Sequence, residues 1–149
     1  ELDVALVRGR RPAPDLETVE LWADPVQVLL PATHPATAHA ELPLAALTDL
    51  VLRLPDRASD PVLHDTVLAA CRAAGVTPNL GRPVRSVEDA TVEIGMSERD
   101  ATVLCGCSGA DRLGTVLRPL GAAVQIPGHV LLRPGIPAEC RTAMLTALA

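Results

Sequence analysis

The sequence contains no lysine, phenylalanine or tyrosine, and it has a single tryptophan. Aromatic side chains therefore cannot build the core, although 48% of the 149 residues are hydrophobic. Leucine, valine, alanine and isoleucine must fill the interior instead, and small aliphatic side chains pack well enough to do so. A chain of this size buries about 68–70% of its unfolded surface, so the sequence is long enough for a substantial core.

Positive charge is also scarce, because 13 arginines stand against 18 acidic residues and the net charge is -5. A surface that binds phosphates needs concentrated cations, so this segment is not expected to bind nucleic acid by itself. The sequence has no run of roughly 18 apolar residues that would span a membrane. It also lacks a signal-peptide pattern at its N-terminus. We therefore expect a cytoplasmic chain without membrane contact.

The common catalytic and metal-binding motifs are missing as well. The four histidines do not occur at metal-ligand spacing, and Cys105 and Cys107 lack the second pair of ligands that a zinc site requires. No glycine-rich phosphate loop and no Gly-x-Ser-x-Gly elbow occurs. Four cysteines do not form a dense disulfide framework. The sequence thus predicts free thiols, no metal, no cofactor and no enzyme activity.

Short apolar runs predict the strands. Val26–Leu30 is β-branched and alternating, and Pro31 closes it before the polar turn Thr33-His34-Pro35. Leu2–Val7 is apolar apart from one aspartate, which is typical of a strand buried on both faces in a parallel sheet. Further strands are predicted at Leu50–Leu54, Ala101–Cys105, Val116–Leu120, Val124–Ile126 and Val130–Leu132, the last two around a tight turn at Pro127-Gly128.

Two helices carry clear end signals. Asp60 is a predicted N-cap, Pro61 suits the first helical position, and Gly75 suits a left-handed C-terminal cap. Ser86 opens a second helix, with acidic residues in its first turn. A terminal helix starts at Pro137. Strands thus alternate with helices, which predicts the α/β class with a parallel or mixed sheet.

Four short motifs follow one another between residues 3 and 78: Asp3-Val4 in the first strand, His34-Pro35-Ala36 after the second, Asp49-Leu50 before the third, and Ala74-Gly75-Val76-Thr77-Pro78 after the first helix. No single motif is specific, but their order and spacing are. The sequence resembles the effector-binding domain of LysR-type transcriptional regulators.

This resemblance implies a two-lobed fold similar to type 2 periplasmic binding proteins. The domain would span residues 1–149, with lobe I at about 1–33 and 121–149 and lobe II at about 34–120. The strand Val26–Leu30 would be one crossover between the lobes, and Val116–Leu120 would lead into the other. Small molecules bind such folds between the lobes, where helix N-termini and loop hydroxyls converge.

The chain departs from the family pattern in two places. The family's N-terminal winged helix-turn-helix, its linker helix, and the first strand and helix of its effector domain are all missing ahead of Leu2. DNA contact is therefore expected only through a helix-turn-helix that this chain lacks. In addition, Gly95–Asp100 replaces the family's Ala-Ala-Gly-x-Gly stretch, so a glycine turn that contacts a ligand is not expected there.

Four residues are the candidate ligand contacts. Arg8, at the end of its strand, can pair with a carboxylate, or it is an exposed loop arginine. Thr33 lies at the crossover turn, where it either binds ligand or is a simple turn hydroxyl. Ser59 precedes a helix whose N-terminus can face the cleft, although capping alone explains Asp60. Ser86 begins a helix that favours an anion, and a plain N-cap role is the alternative.

The resemblance implies a sensor. A small molecule such as an organic anion would bind between the lobes and change how an attached DNA-binding homodimer or homotetramer is arranged. One alternative is a solute-binding protein of a transport system with the same fold. Another is a domain that serves only for oligomerisation, through the helix Pro61–Ala74.

Overall fold

A computed structural model describes residues 3–9, 13–106 and 112–148. These residues form an α/β fold of strands, three α-helices and two short 3-10 helices, as the alternation predicted. The strands are β1 (Val4–Arg8), β2 (Glu17–Pro31), β3 (Val51–Leu52), β4 (Asn79–Leu80), β5 (Asp100–Cys105), β6 (Thr115–Pro119) and β7 (Gln125–Leu132). The helices are α1 (Pro61–Ala73), α2 (Val87–Gly95) and α3 (Ala138–Leu148), and the 3-10 helices are Pro35–Ala38 and Leu44–Thr48.

The chain divides into two compact units. Unit 1 comprises Glu1–Asp24 and Ile126–Ala149, and unit 2 comprises Pro25–Gln125. The first division falls inside β2, upstream of the crossover turn that the sequence indicated, so Thr33 belongs to unit 2. The predicted strand Val26–Leu30 is present, but it is only the second half of a strand that begins at Glu17.

In unit 1, β7 lies between β1 and β2. β1 pairs with β7 in the antiparallel sense, from Val4 opposite Leu132 to Arg8 opposite Gly128. The prediction of a strand buried on both faces of a parallel sheet is therefore wrong for β1. Among the described strands it lies at the edge of the sheet, and its Leu6 is 54% exposed.

The predicted tight turn at Pro127-Gly128 is also wrong, because both residues lie within the continuous strand β7. Gly128 is needed there for a packing reason. A Cβ atom added at this position would lie only 1.9 Å from Cε2 of Trp22. The indole Nε1 of Trp22 also donates a 3.0 Å hydrogen bond to Oδ2 of Asp24, so the tryptophan is held against the glycine backbone.

In unit 2, β3 lies between β4 and β5 and runs parallel to both. β2 pairs in the antiparallel sense with β5 and with β6. The predicted strand Leu50–Leu54 is reduced to two residues. Its neighbour Arg53 nevertheless stays hydrogen-bonded along β5, because its N–H donates to the carbonyl of Ala101 at 2.7 Å.

The core of unit 2 is aliphatic. α1 buries Leu63, Val67 and Cys71, and α2 buries Ala90 and Ile94. The largest fully buried side chains of this unit include Leu30, Leu42, Leu47, Leu50, Leu52, Val26, Val28 and Val103. Aliphatic packing of this kind confirms that the lack of aromatic residues does not prevent core formation.

Gly128→Ala should destabilise the protein by about 1–3 kcal/mol, because the new methyl group overlaps the indole of Trp22 and forces it to move. Thermal and urea unfolding of the wild type, Gly128→Ala, Trp22→Ala and the double variant form a double-mutant cycle. Gly128→Ala should lower the free energy of unfolding much less in the Trp22→Ala background than in the wild type. Equal costs in both backgrounds would contradict the proposed packing constraint.

Candidate functional site

A cavity of about 760 Å³ lies in unit 2, within the size range of small-molecule sites. It follows the carboxyl ends of β3 and β4, which meet at one edge of the sheet because the two strands are parallel. Ligands of open α/β sheets bind at this edge. The cavity is lined by Arg53, Asp56, Ser59, Arg82, Pro83, Val84, Arg85, Asp89, Ala90 and Glu93.

Local capping fixes the two helices that border the cavity. Oδ1 of Asp60 accepts a hydrogen bond from the N–H of Leu63 at 3.0 Å, and Oγ of Ser86 accepts one from the N–H of Asp89 at 3.1 Å. Both predicted N-caps are confirmed. A serine hydroxyl can donate and accept at once, so the O–H of Ser86 stays chemically able to donate to a ligand while its oxygen caps α2.

The most buried charge of the site is Arg53, whose side chain is only 4% exposed. Its Nη1 lies 2.5 Å from Oε2 of Glu93 and 3.4 Å from Oδ2 of Asp100. Its Nε donates to the carbonyl oxygen of Arg82 at 3.2 Å. A buried guanidinium needs such partners, because desolvation without compensation is costly.

The carboxylate of Glu93 forms ion pairs with two arginines. Nη2 of Arg82 donates a 2.9 Å hydrogen bond to the same Oε2 atom that Arg53 contacts. The hydrogen bond from Arg53 is the largest cause that lowers the pKa of the Glu93 carboxyl, and the charges of Arg53 and Arg82 lower it further. Glu93 is therefore ionised at neutral pH and neutralises part of the cationic charge in the cavity.

Arg85 differs from Arg53 and Arg82 in its charge partners. Within residues 3–9, 13–106 and 112–148 it makes no ion pair, although its side chain lines the cavity directly before the N-terminus of α2. Two acidic residues, Asp56 and Asp89, also line the cavity, and Oδ1 of Asp56 accepts a hydrogen bond from the N–H of Ala58. Arg85 is thus the cavity cation with no partner acid in the described part of the chain.

The structure brings only some of the predicted ligand residues together. Ser59 lines the cavity, and Ser86 lies between the lining residues Arg85 and Asp89. Thr33 is an exposed residue of unit 2 that is not among the lining residues.

Arg8 belongs to unit 1, where its Nε contacts Oδ2 of Asp24 at 2.6 Å. The same oxygen accepts the hydrogen bond from Trp22. All four ligand assignments remain predictions.

Sequence reasoning missed the arginines and the glutamate of the cavity. Arg53 carried a usable signal, because it is the only charge in the apolar run Leu50–Leu54. Arg82 and Arg85 stand in the loop directly before the N-cap Ser86, where cations add to the positive end of the helix. Glu93 gave no signal, because its role depends on side chains from two other segments.

No group of three or more histidine, cysteine, aspartate or glutamate residues could hold a metal ion in the described part of the chain. Burial raises the pKa of the Cys71 thiol, which makes it a poor nucleophile. Of the cysteines that the sequence predicts as free thiols, Cys107 lies outside the described residues. None of the described helices is both long enough and apolar enough to cross a membrane.

Comparison with solved structures defines the class of fold. The crystal structure of CbnR, a LysR family transcriptional regulator, matches with a TM-score of 0.77 and 19% identity, over 99% of this chain and 53% of CbnR. The C-terminal domain of a probable LysR family regulator from Rhodococcus sp. RHA1 matches with a TM-score of 0.74 and 24% identity, over 99% of this chain and 74% of that domain. The regulatory domain of CcmR from Synechocystis PCC6803, in complex with 2-PG, matches with a TM-score of 0.71 and 18% identity, over 98% of this chain and 71% of that domain. The fold is therefore the type 2 periplasmic-binding-protein-like fold of LysR regulatory domains.

The family model for the LysR substrate binding domain matches residues 1–100, so the chain belongs to that family. This confirms the resemblance that the four motifs indicated. The chain spans about half the length of CbnR, at 53%. Comparison with curated protein sequences gave no match.

The ion pairs of Glu93 should make stability depend on pH. The folded state lowers the pKa of Glu93 below the ordinary 4.5, so the stabilisation is present above pH 4.5 and is lost as the pH falls through the lowered value. Glu93→Gln should therefore lower the melting temperature at pH 7, and the gap to the wild type should narrow towards pH 3.

Circular dichroism melts across this pH range check the effect. Glu88→Gln is the matched control, because it removes one negative charge from the same helix outside the cavity. A gap between wild type and Glu93→Gln that stays constant from pH 7 to pH 3 would contradict the assignment.

Proposed function

We propose that this chain is the effector-sensing domain of a LysR-type transcriptional regulator and that the cavity of unit 2 binds a small organic anion. The observation that carries the proposal is Arg85, a cation without a partner acid among the described residues, at the N-terminal end of α2 in a cavity of about 760 Å³. The other lining arginines are already paired with Glu93. Arg85 is therefore the cation that a ligand would meet.

The chemistry around Arg85 suits a carboxylate or a phosphate. A guanidinium offers two parallel N–H donors to such a group, and the amide groups at a helix N-terminus add favourable partial positive charge. The hydroxyl groups of Ser59 and Ser86 supply neutral donors that can orient the rest of the ligand. Arg8 and Thr33 remain predicted contacts outside this cavity.

The rest of the regulator is inferred from the family. A net charge of -5 makes this chain unsuited to DNA, so DNA binding would come from an attached helix-turn-helix. The chain would act as a sensor rather than as an enzyme, in the cytoplasm, as part of a homodimer or homotetramer. CcmR, whose regulatory domain was solved in complex with 2-PG, supports ligand binding by this fold.

Membership of the LysR substrate binding domain family favours the regulator over the alternative of a transport solute-binding protein. A helix-turn-helix in the coding sequence upstream of Glu1 would eliminate that alternative. The third interpretation, a domain that serves only for oligomerisation through α1, requires that no ligand affects the protein.

Arg85→Ala should weaken binding of the anionic effector about tenfold to a hundredfold, because it removes charge-assisted hydrogen bonds worth about 1.5–3 kcal/mol. The effector is first found by screening organic anions for a rise in the melting temperature, and its affinity is then measured by calorimetry. Arg72→Ala is the matched control, since Arg72 is an exposed arginine of α1 outside the cavity. An equal loss of effector affinity in Arg85→Ala and Arg72→Ala would contradict the assignment of Arg85.

Ser86→Gly tests the second contact. Glycine removes the hydroxyl but remains acceptable at an N-cap, so the helix should lose only a few tenths of a kcal/mol, whereas Ser86→Ala also removes about 1 kcal/mol of capping. We expect Ser86→Gly to weaken binding of the effector, with little change in the melting temperature of the free protein. If no organic anion changes the melting temperature or the promoter binding of the full-length protein, the proposed function is wrong.

A further inference from the structure

Glu93 occupies a position inside the cavity that an external anion would otherwise fill. One oxygen atom of its carboxylate lies 2.5 Å from Nη1 of Arg53 and 2.9 Å from Nη2 of Arg82. We propose that Glu93 is a specificity-determining residue, which blocks the anion position between Arg53 and Arg82 and so restricts the cavity to ligands with one anionic group, bound at Arg85. The proposal rests on the proposed function, because it concerns ligands of the same cavity.

The two arginines form a built anion position rather than a chance contact. Arg53 cannot turn away, because its side chain is 4% exposed and its Nε is held by the carbonyl of Arg82. Its backbone is also fixed, since its carbonyl oxygen accepts a 2.6 Å hydrogen bond from the buried hydroxyl of Thr102. Two guanidinium groups that point at one oxygen are the arrangement that binds carboxylates and phosphates strongly.

The charges show why Glu93 selects against a second anionic group. Arg53 and Arg82 together carry two positive charges, and the neighbouring Glu93 and Asp100 carry two negative charges. The ion cluster is therefore already neutral, and a ligand anion placed there would meet a carboxylate of the same sign, which is unfavourable. Arg85 lines the same cavity but has no partner acid in the described segments, so a single anionic group is satisfied there.

The test is a gain of function. Glu93→Gln removes the charge at nearly constant side-chain size, so an external dianion can displace the weakly held neutral amide from Arg53 and Arg82 without meeting a carboxylate of the same sign. Inorganic phosphate and succinate are titrated into the wild type and the variant by calorimetry, with acetate as the monoanion. We expect phosphate and succinate to bind at least about tenfold more tightly to the variant, and acetate to gain less, because a single anionic group can already bind at Arg85.

Two controls locate the gain. Glu88→Gln removes a charge from the same helix but does not line the cavity, so it should leave phosphate binding as in the wild type. Adding Arg82→Ala to Glu93→Gln should abolish the gain, because one of the two donors is then lost. A gain that survives in the absence of Arg82, or one that Glu88→Gln reproduces, would overturn the inference.

A second variant guards against loss of folding. Glu93→Asp keeps the charge but withdraws it by one methylene, so phosphate binding should rise to an intermediate level. Phosphate should also raise the melting temperature of both variants more than sodium chloride at equal ionic strength does. If both variants are folded by circular dichroism and neither gains phosphate binding, the inference is wrong.

The outcomes separate this inference from the proposed function. A wild type whose effector binding depends on Arg85, together with no phosphate gain in Glu93→Gln, overturns the inference and leaves the function standing. A phosphate gain that depends on Arg82 supports the inference even where no effector of the wild type is found.

Discussion

The guanidinium of Arg53 is the constraint on which the candidate site depends. Only 4% of this side chain is exposed, and a buried cation must find anionic and carbonyl partners or the fold loses free energy. Its partners come from Asp100 on β5, Glu93 on α2 and the carbonyl of Arg82 after β4. One charge therefore holds together the segments that line the cavity.

The same network explains why an acidic chain can present Arg85 as a cation without a partner acid among the described residues. Glu93 forms ion pairs with Arg53 and Arg82, and Asp100 forms one with Arg53, so neither acid pairs with Arg85. A pocket with equal numbers of basic and acidic residues would look neutral from composition alone. The pairing pattern, not the charge count, creates an anion-binding group at the end of α2.

Local signals in the sequence predicted the helices well. The caps at Asp60 and Ser86 depend on hydrogen bonds that span three residues, so residue type and spacing are sufficient to find them. Edge position and strand partners are not local, which explains the errors at β1 and at Pro127-Gly128. The apolar pattern of β1 fits either a buried strand or an edge strand, and Pro127-Gly128 fits either a turn or a continuous strand. Only the pairing of β1 with β7 decides between these alternatives.

The sequence indicates candidate site residues only near helix starts. Ser59 and Ser86 stand out because the residues around helix N-termini are recognisable, whereas Arg53 meets Arg82 and Asp100 across 29 and 47 positions of sequence. Hydrophobic periodicity in the sequence does not predict contacts between residues so far apart. α2 joins the two kinds of feature, since its N-terminus is capped by Ser86 and its later turn carries Glu93. A ligand that binds at the start of α2 would therefore act on the same helix that Arg53 holds through Glu93, and ligand binding and the stability of unit 2 should be coupled through that helix.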